Sequence, residues 1–213
     1  SVRAKHLGEK WRNAKVRGTP HNTGECMEMA FNLGAVSHGR FDGCHATPMD
    51  LYMKDFGNLN LEPGQRKNYR KICYHLGLIV NKQGIRFLDE GENLRTYTYA
   101  QFGSRILDQV DGIAYQLFDA KVMDYLYEEY FFYDAHYEEA QTIEELAFKI
   151  EGVNKDKLIE TIRTFNAACG PANQIDPSNL DGNCTKGLEI PKTNWAQRLD
   201  TPPFRAYPVT GGI

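Results

Sequence analysis

Apolar residues recur at helical spacing once in the first third of the chain, in NTGECMEMAFNLGA (22–35). Met27, Ala30, Phe31 and Leu33 fall towards one face, Asn22 or Thr23 is placed to cap the start, and Gly34 to stop the helix. Residues 35–75 then lose any period. Gly, Pro, Asp and Asn are scattered through HGRFDGCHATPMD and DFGNLNLEPGQ, and so long an irregular stretch is usually functional or mobile. Order returns with LGLIV (76–80), the turn NKQG and IRFLD (85–89), which together read as a hairpin. From residue 95 to 109 the spacing predicts a helix with Tyr99, Phe102, Ile106 and Leu107 on one face.

GIAYQLFD (112–119) has the continuous apolar run of a buried strand, and AKVMDYLYEEYF (120–131) suggests a helix. Two further helices are expected. TIEELAFKI begins with Thr142 and Glu145 at capping-box spacing, and NKDKLIETIRTFNAACG is capped by Asn154 and stopped by Gly170. From Pro171 onwards Pro, Asn, Asp and Gly predict mostly ordered loop. No repeat interrupts this order, so the expected fold class is α+β: a small mixed sheet with surrounding helices.

Composition narrows the function classes. A chain of 213 residues can bury a sizeable core as one large domain or two small ones, and its net charge of -3 lacks the basic face that nucleic acid demands. No apolar run reaches the ~20 residues of a membrane span, and SVRAKHLGEKW is not a signal peptide. The five cysteines (26, 44, 73, 169 and 184) are odd in number and far apart, which predicts free thiols and a cytoplasmic setting. Tyrosine and phenylalanine crowd into YTYAQF and YLYEEYFFYDAHY, where core or interface packing is the plainer reading.

Candidate chemistry is sparse. Cys44 with His45 and Cys73 with His75 lack the regular spacing of a zinc site, so no metal is expected, and nothing fixes a Cys–His nucleophilic pair. No G-x-G-x-x-G follows a strand, so the chain has no phosphate loop of its own for FAD or NAD. Arg95 has a fork of donors that matches a carboxylate, and His45 could add a charge-assisted bond. The residues alone favour the plainer alternative for Arg95, a surface arginine paired with Asp89 or Glu90.

Several runs nonetheless resemble one family: RGTPHNTGECMEMAFNLGA, GLIVNKQGIRFLDEGENLRTYTYAQFGSRIL, GIAYQLFDAKV and TKGLEIPKTNWAQRLDTPPFRAYPVTGGI. They are similar to the FAD-dependent flavoproteins of the fumarate reductase/succinate dehydrogenase superfamily, nearest to the tricarballylate dehydrogenase group. The resemblance implies a flavoprotein cap, or catalytic, domain fold. It assigns 1–37 to the edge of the FAD-binding domain, 38–205 to a substrate-binding cap, and 206–213 to the return towards the missing FAD domain. Thr23, Gly24 and Glu25 would lie near the flavin. In such proteins the flavin exchanges a hydride with one carbon of a polycarboxylate while a protein group moves a proton at its neighbour. Arg95, after Arg86-Phe87-Leu88-Asp89-Glu90, stands where the fumarate reductase branch carries that group. Deprotonating an arginine is costly, so Tyr97 and Tyr99 are the alternatives. His45 resembles the cap histidine that binds a substrate carboxylate.

The T-E-x-x-R pattern of the fumarate reductase branch has no match, since Tyr69, Arg70 and Cys73 stand about there. That departure favours a different substrate, such as a tricarboxylate. The same resemblance implies an electron-transfer partner, and a fragment that by itself neither holds FAD tightly nor turns over. A fumarate reductase-like enzyme, a free-standing binder of small carboxylates and an interaction domain built on the aromatic run 125–137 are the other readings.

Overall fold

The computed structural model describes residues 2–54, 56, 59–63, 66–171 and 174–213. Asp55, Gly57, Asn58, Gly64 and Gln65 of the predicted irregular stretch, and Ala172 and Asn173 of the C-terminal one, lie outside the described residues. Five strands form one sheet: β1 (Thr47–Asp50), β2 (Leu78–Asn81), β3 (Ala114–Phe118), β4 (Glu138–Ala140) and β5 (Phe204–Gly212). The order is β1-β5-β3-β2, and β4 lies beyond β1 along the same edge of β5. Every ladder is antiparallel, so the sheet is not the mixed one expected, although an isolated parallel bridge joins Lys15 to Gly212.

Helices α1 (Val2–Leu7) and α2 (Glu25–Asn32) precede the sheet, and α3 (Arg95–Leu107), α4 (Ile143–Lys149) and α5 (Lys155–Ala168) cover it. Side chains alternate between the two sheet faces with a period of two. Leu78, Val80, Tyr115, Leu117 and Ala206 meet Leu146 of α4 and Leu158, Ile162 and Phe165 of α5. Ile79, Ala114 and Val209 meet Phe102 and Ile106 of α3 with Ile72 and Tyr74. Both faces are therefore dry, which is why β2 and β3 read as continuous apolar runs rather than alternating ones.

The expected caps of the last two helices are present. Thr142 Oγ1 accepts from Glu145 N–H at 3.1 Å, and Asn154 Oδ1 accepts from Lys157 N–H at 3.1 Å. At α2 the cap is Gly24, with φ 93°, rather than Asn22 or Thr23. The predicted strand 85–89 is reduced to a single bridge between Val80 and Arg86, because Arg86 turns its side chain into an ion pair instead of extending the ladder. The predicted helix 120–131 is two short 3-10 segments, Ala120–Tyr125 and Glu128–Tyr130, whose buried Val122 and Tyr130 pack on Phe118 and Tyr207. Most consequential, the supposed C-terminal loop contains β5, the central strand, where pairing on both edges overrides Pro208 and two glycines.

Helix α3 rests unusually close to the sheet. Ala46 N–H donates to Ala100 O at 2.7 Å, and Gly103 N–H donates to Ala46 O at 3.0 Å. A Cβ on Gly103 would lie 2.6 Å from the Ala46 carbonyl carbon and from Thr47 O, both backbone atoms. Gly103→Ala is therefore expected to cost about 1–3 kcal/mol by overpacking, despite alanine's better helix propensity. Urea denaturation of the variant checks this, and an unchanged or raised midpoint would contradict the close approach. Among the described residues no helix is long and apolar enough to cross a membrane.

Candidate functional site

The start of α3 is fixed by the hairpin turn before it. Glu90, wholly buried, accepts from Ile79 N–H at 2.8 Å and from Arg86 Nε and Nη2 at 3.0 and 2.5 Å. Arg86 Nη1 donates in turn to Ile190 O at 2.7 Å. Asp89 accepts from Gly91 N–H, Thr193 N–H and Thr193 Oγ1 at 2.8, 3.1 and 2.8 Å. Both acids that the sequence offered as partners of Arg95 are thus committed elsewhere. The R-F-x-D-E run is a set of staples that binds 190–194 to the sheet and delivers α3 at a fixed angle.

Arg95 opens α3, half-buried, with its guanidinium 4.7 Å from the centre of the Tyr127 ring. It has no acidic neighbour in the first helical turn, so its charge adds to the positive end of the helix. An arginine stacked on an aromatic face beside a helix N-terminus is well suited to an incoming anion. Tyr99, one turn on, lies on the same side, and its ring meets the exposed His45 edge-on at 5.0 Å. The Ala46–α3 hydrogen bonds hold those two rings together. Tyr97 points elsewhere and is 70% exposed, so the structure does not bring it to this corner.

Two residues not singled out as site residues by the sequence complete the corner. Arg17 follows the Lys15–Gly212 bridge, its N–H donating to Ile213 O at 2.9 Å, and it lies within electrostatic reach of Arg70 and Tyr99. Burial and then the charge of Arg70 lower its pKa, with Tyr99 opposing. Arg70 stands in a segment that pairs with the free edge of β1, where Asp50 N–H donates to Tyr69 O and Lys71 N–H to Pro48 O. Its Nη2 donates to Glu129 at 3.0 Å. The 127–130 segment therefore touches two arginines, Arg95 through Tyr127 and Arg70 through Glu129.

Beneath this corner lies a buried polar support. Lys71 donates to Glu129 O, sits 3.7 Å from Asp50 and faces the rings of Tyr130 and Tyr207 at 5.0 and 5.7 Å. Burial lowers its pKa, and the carboxylates of Asp50 and Glu129 act against that shift. Tyr130 Oη donates to Gln116 at 2.7 Å and accepts from Cys73 N–H at 2.9 Å. This network holds 69–73 rigidly, so the arginine carried on it is positioned rather than free.

The cysteine chemistry considered above finds no support in the geometry. Burial pushes the Cys73 thiol up to about 11, and the same cause raises Cys44, so neither is a thiolate near neutral pH. Burial drives His75 down to about 3, which keeps it neutral. All five cysteines are unpaired, and among the described residues no three of His, Cys, Asp and Glu come together around a common point.

Thr23, Gly24 and Glu25 stand apart from this corner. The Glu25 carboxyl is held low by the Thr23 hydroxyl, and α2 is tied to α1 through Lys5–Glu28 at 2.7 Å and the His6–Phe31 ring contact. None of the α2 side chains is buried, and Met29 and Leu33 are 56% and 90% exposed.

No protein-family model and no curated protein matches the sequence. Solved structures do match over the whole chain. They include a 3-ketosteroid delta1-dehydrogenase from Sterolibacterium denitrificans, with a TM-score of 0.64 and 20% identity over 100% of this chain. A flavocytochrome c3 fumarate reductase in its open conformation gives the same TM-score, identity and coverage. A 3-ketosteroid-delta4-(5alpha)-dehydrogenase from Rhodococcus jostii RHA1 reaches 0.57 with 16% identity over 99% of the chain. At these identities the likeness is one of fold. The chain spans 40%, 32% and 37% of the three proteins' lengths.

Proposed function

We propose that this chain is the substrate-holding segment of an FAD-dependent oxidoreductase that moves a hydride between flavin and a tricarballylate-like polycarboxylate. In this reading 38–205 is the cap that closes over substrate, 1–37 the edge of the FAD-binding domain and 206–213 the return towards it. The observation that carries it is the cationic corner, where Tyr99 meets His45, Arg17 lies within electrostatic reach of Tyr99 and Arg70, and Arg95 opens the same helix one turn before Tyr99. That corner sits on a fold that part of a flavocytochrome c3 fumarate reductase matches along the whole of this chain. Guanidinium groups in that number suit a polyanion. A steroid such as the androstenedione bound to one neighbour carries no charge for those guanidinium groups to meet.

The Thr23–Glu25 turn is the part of the chain that fits a flavin. Gly24 carries no side chain over the first turn of α2, and Glu25 presents an exposed acceptor. It offers one edge of such a site and not a whole one, since no glycine-rich phosphate loop accompanies it. When bound, the flavin supplies hydride exchange with one substrate carbon, and a separate electron-transfer partner serves the flavin. The residues of this chain bind, orient and protonate. Arg95 forks onto a carboxylate at the helix N-terminus, and His45 takes a second one. The proton at the neighbouring carbon moves through the Arg95 guanidinium or Tyr99 Oη.

Calorimetric titration of the 213-residue chain with tricarballylate tests the binding half of this reading. His45→Ala is expected to weaken it roughly tenfold or more, because a hydrogen bond to a charged group is worth about 1.5–3 kcal/mol. Tyr97→Phe should leave it unchanged. Equal effects from the two substitutions, or no binding by the unmodified chain, would count against the site.

A further inference from the structure

Arg17 and Arg70, which the reading above uses only as positive charge, share a feature that packing does not explain. Each buries its Nε–H without a hydrogen-bond partner. Buried donors are nearly always satisfied, and two adjacent orphans on like-charged groups compound the cost. Arg70 has one counterion, Glu129, on its Nη2. Among the described residues Arg17 has no side-chain hydrogen bond or ion pair, so within them Glu129 is the one acid that answers the two guanidiniums.

Beside Arg17 lies a cleft of about 230 Å³, lined by Arg17, Arg66, Lys67, Asn68 and Tyr69 with Met53 and Phe56 among its apolar residues. Among the described residues that line it there is no carboxylate. Arg66 Nε donates to Leu61 O at 3.1 Å and Lys67 faces the Phe132 ring at 5.0 Å, so neither cation is neutralised by an acid in those contacts. The Tyr69 hydroxyl donates to Asp134 at 2.7 Å, which commits its proton away from the cleft. What the described lining lacks is an acceptor of two or more N–H bonds with negative charge, in a space too small for a drug-sized molecule.

We propose that Arg17 and Arg70, with Arg66 and Lys67 at the rim, form an oxyanion subsite adjoining the His45–Tyr99 corner. Its occupant is either the far carboxylate of the polycarboxylate or a free phosphate. Only the first source rests on the proposed function. An oxyanion at the Arg17 end of the cleft accepts from the Arg17 guanidinium and offsets its repulsion from Arg70. In its absence the arginines are a cost to the fold, which is common where binding is selected over stability.

The test is calorimetric titration of the 213-residue chain, and of Arg17→Gln, with propane-1,2,3-tricarboxylate, pentanedioate and inorganic phosphate. If the substrate supplies the oxyanion, the tricarboxylate binds at least tenfold tighter than the dicarboxylate, and Arg17→Gln erases that preference by weakening the tricarboxylate far more than the dicarboxylate. If phosphate supplies it, phosphate affinity falls at least tenfold in Arg17→Gln while neither carboxylate binds; the subsite then stands and the polycarboxylate reading falls. Anion-free melting supplies the control, because removing one of two repelling charges should hold or raise the midpoint. Arg66→Gln, at the rim, should weaken the same ligand severalfold. The subsite is overturned if Arg17→Gln binds every ligand as the unmodified chain does, if the unmodified chain binds none of the three, or if Arg17→Gln lowers the anion-free midpoint.

Discussion

Glu90→Ala is expected to lower the stability of the chain by about 3–5 kcal/mol, the cost of stranding a buried charge. Glu90 is fully buried and is the carboxylate that answers the Arg86 guanidinium, itself 7% exposed. The same carboxylate satisfies Ile79 N–H in the middle of β2. Removing it leaves a guanidinium without a counterion and a strand amide without an acceptor, in the place from which α3 departs. Glu90→Gln keeps the shape and the acceptor for Ile79, so it should cost less. Replacing Arg86 and Glu90 together by methionine and leucine should recover much of the loss, because the penalty lies in the unpaired charge. Urea denaturation of the four proteins checks the set. A loss below about 1 kcal/mol for Glu90→Ala, the range of an exposed ion pair, would contradict the burial argument.

Arg95→Gln carries the largest expected effect on function. Under the proposed function it should reduce kcat/KM of the flavin-bound enzyme by roughly 100- to 10,000-fold, the usual contribution of a positioned proton-transfer group. The placement of Arg95 explains why: it stacks on Tyr127, has neither Asp89 nor Glu90 as a partner, and stands where a helix N-terminus already favours an anion. Glutamine keeps hydrogen-bonding capacity but loses the charge and the planar fork. Tyr99→Phe separates the two proton routes. If Tyr99 Oη moves the proton, the phenylalanine variant loses kcat and keeps KM. If Arg95 does, Tyr99→Phe is nearly silent and Arg95→Gln lowers both binding and turnover. Retention of activity by both variants would remove this corner from the chemistry.

Much of the covering layer was legible from the chain alone. The 3.6-residue period placed α3 and α5, side-chain caps placed Thr142 and Asn154, and the apolar run 112–119 placed β3. The centre of the sheet was not legible. β5 contains Pro208 and ends in two glycines, so its strand character comes from neighbours on both edges rather than from propensity. The 120–131 segment misled in the opposite direction, since its aromatic spacing suits a helix while Tyr130 is claimed by Gln116 and Cys73. The candidate site divides in the same way. Arg95, Tyr99 and His45 were put forward by the family resemblance, since the residues alone favoured a surface arginine. Arg17 and Arg70 were not, because 53 residues of sequence separate them and the Lys15–Gly212 bridge and the Met49–Arg70 pairing help to place them.

The most direct test of the proposed function is anaerobic bleaching of flavin bound to the longer protein that this function requires, with tricarballylate, smaller dicarboxylates and a 3-ketosteroid as candidate donors. A polycarboxylate is predicted to bleach the flavin, the steroid to leave it oxidised, and Arg95→Gln to abolish the response to the polycarboxylate. Bleaching by the steroid and not by any polycarboxylate, or undiminished bleaching in Arg95→Gln, would contradict the account.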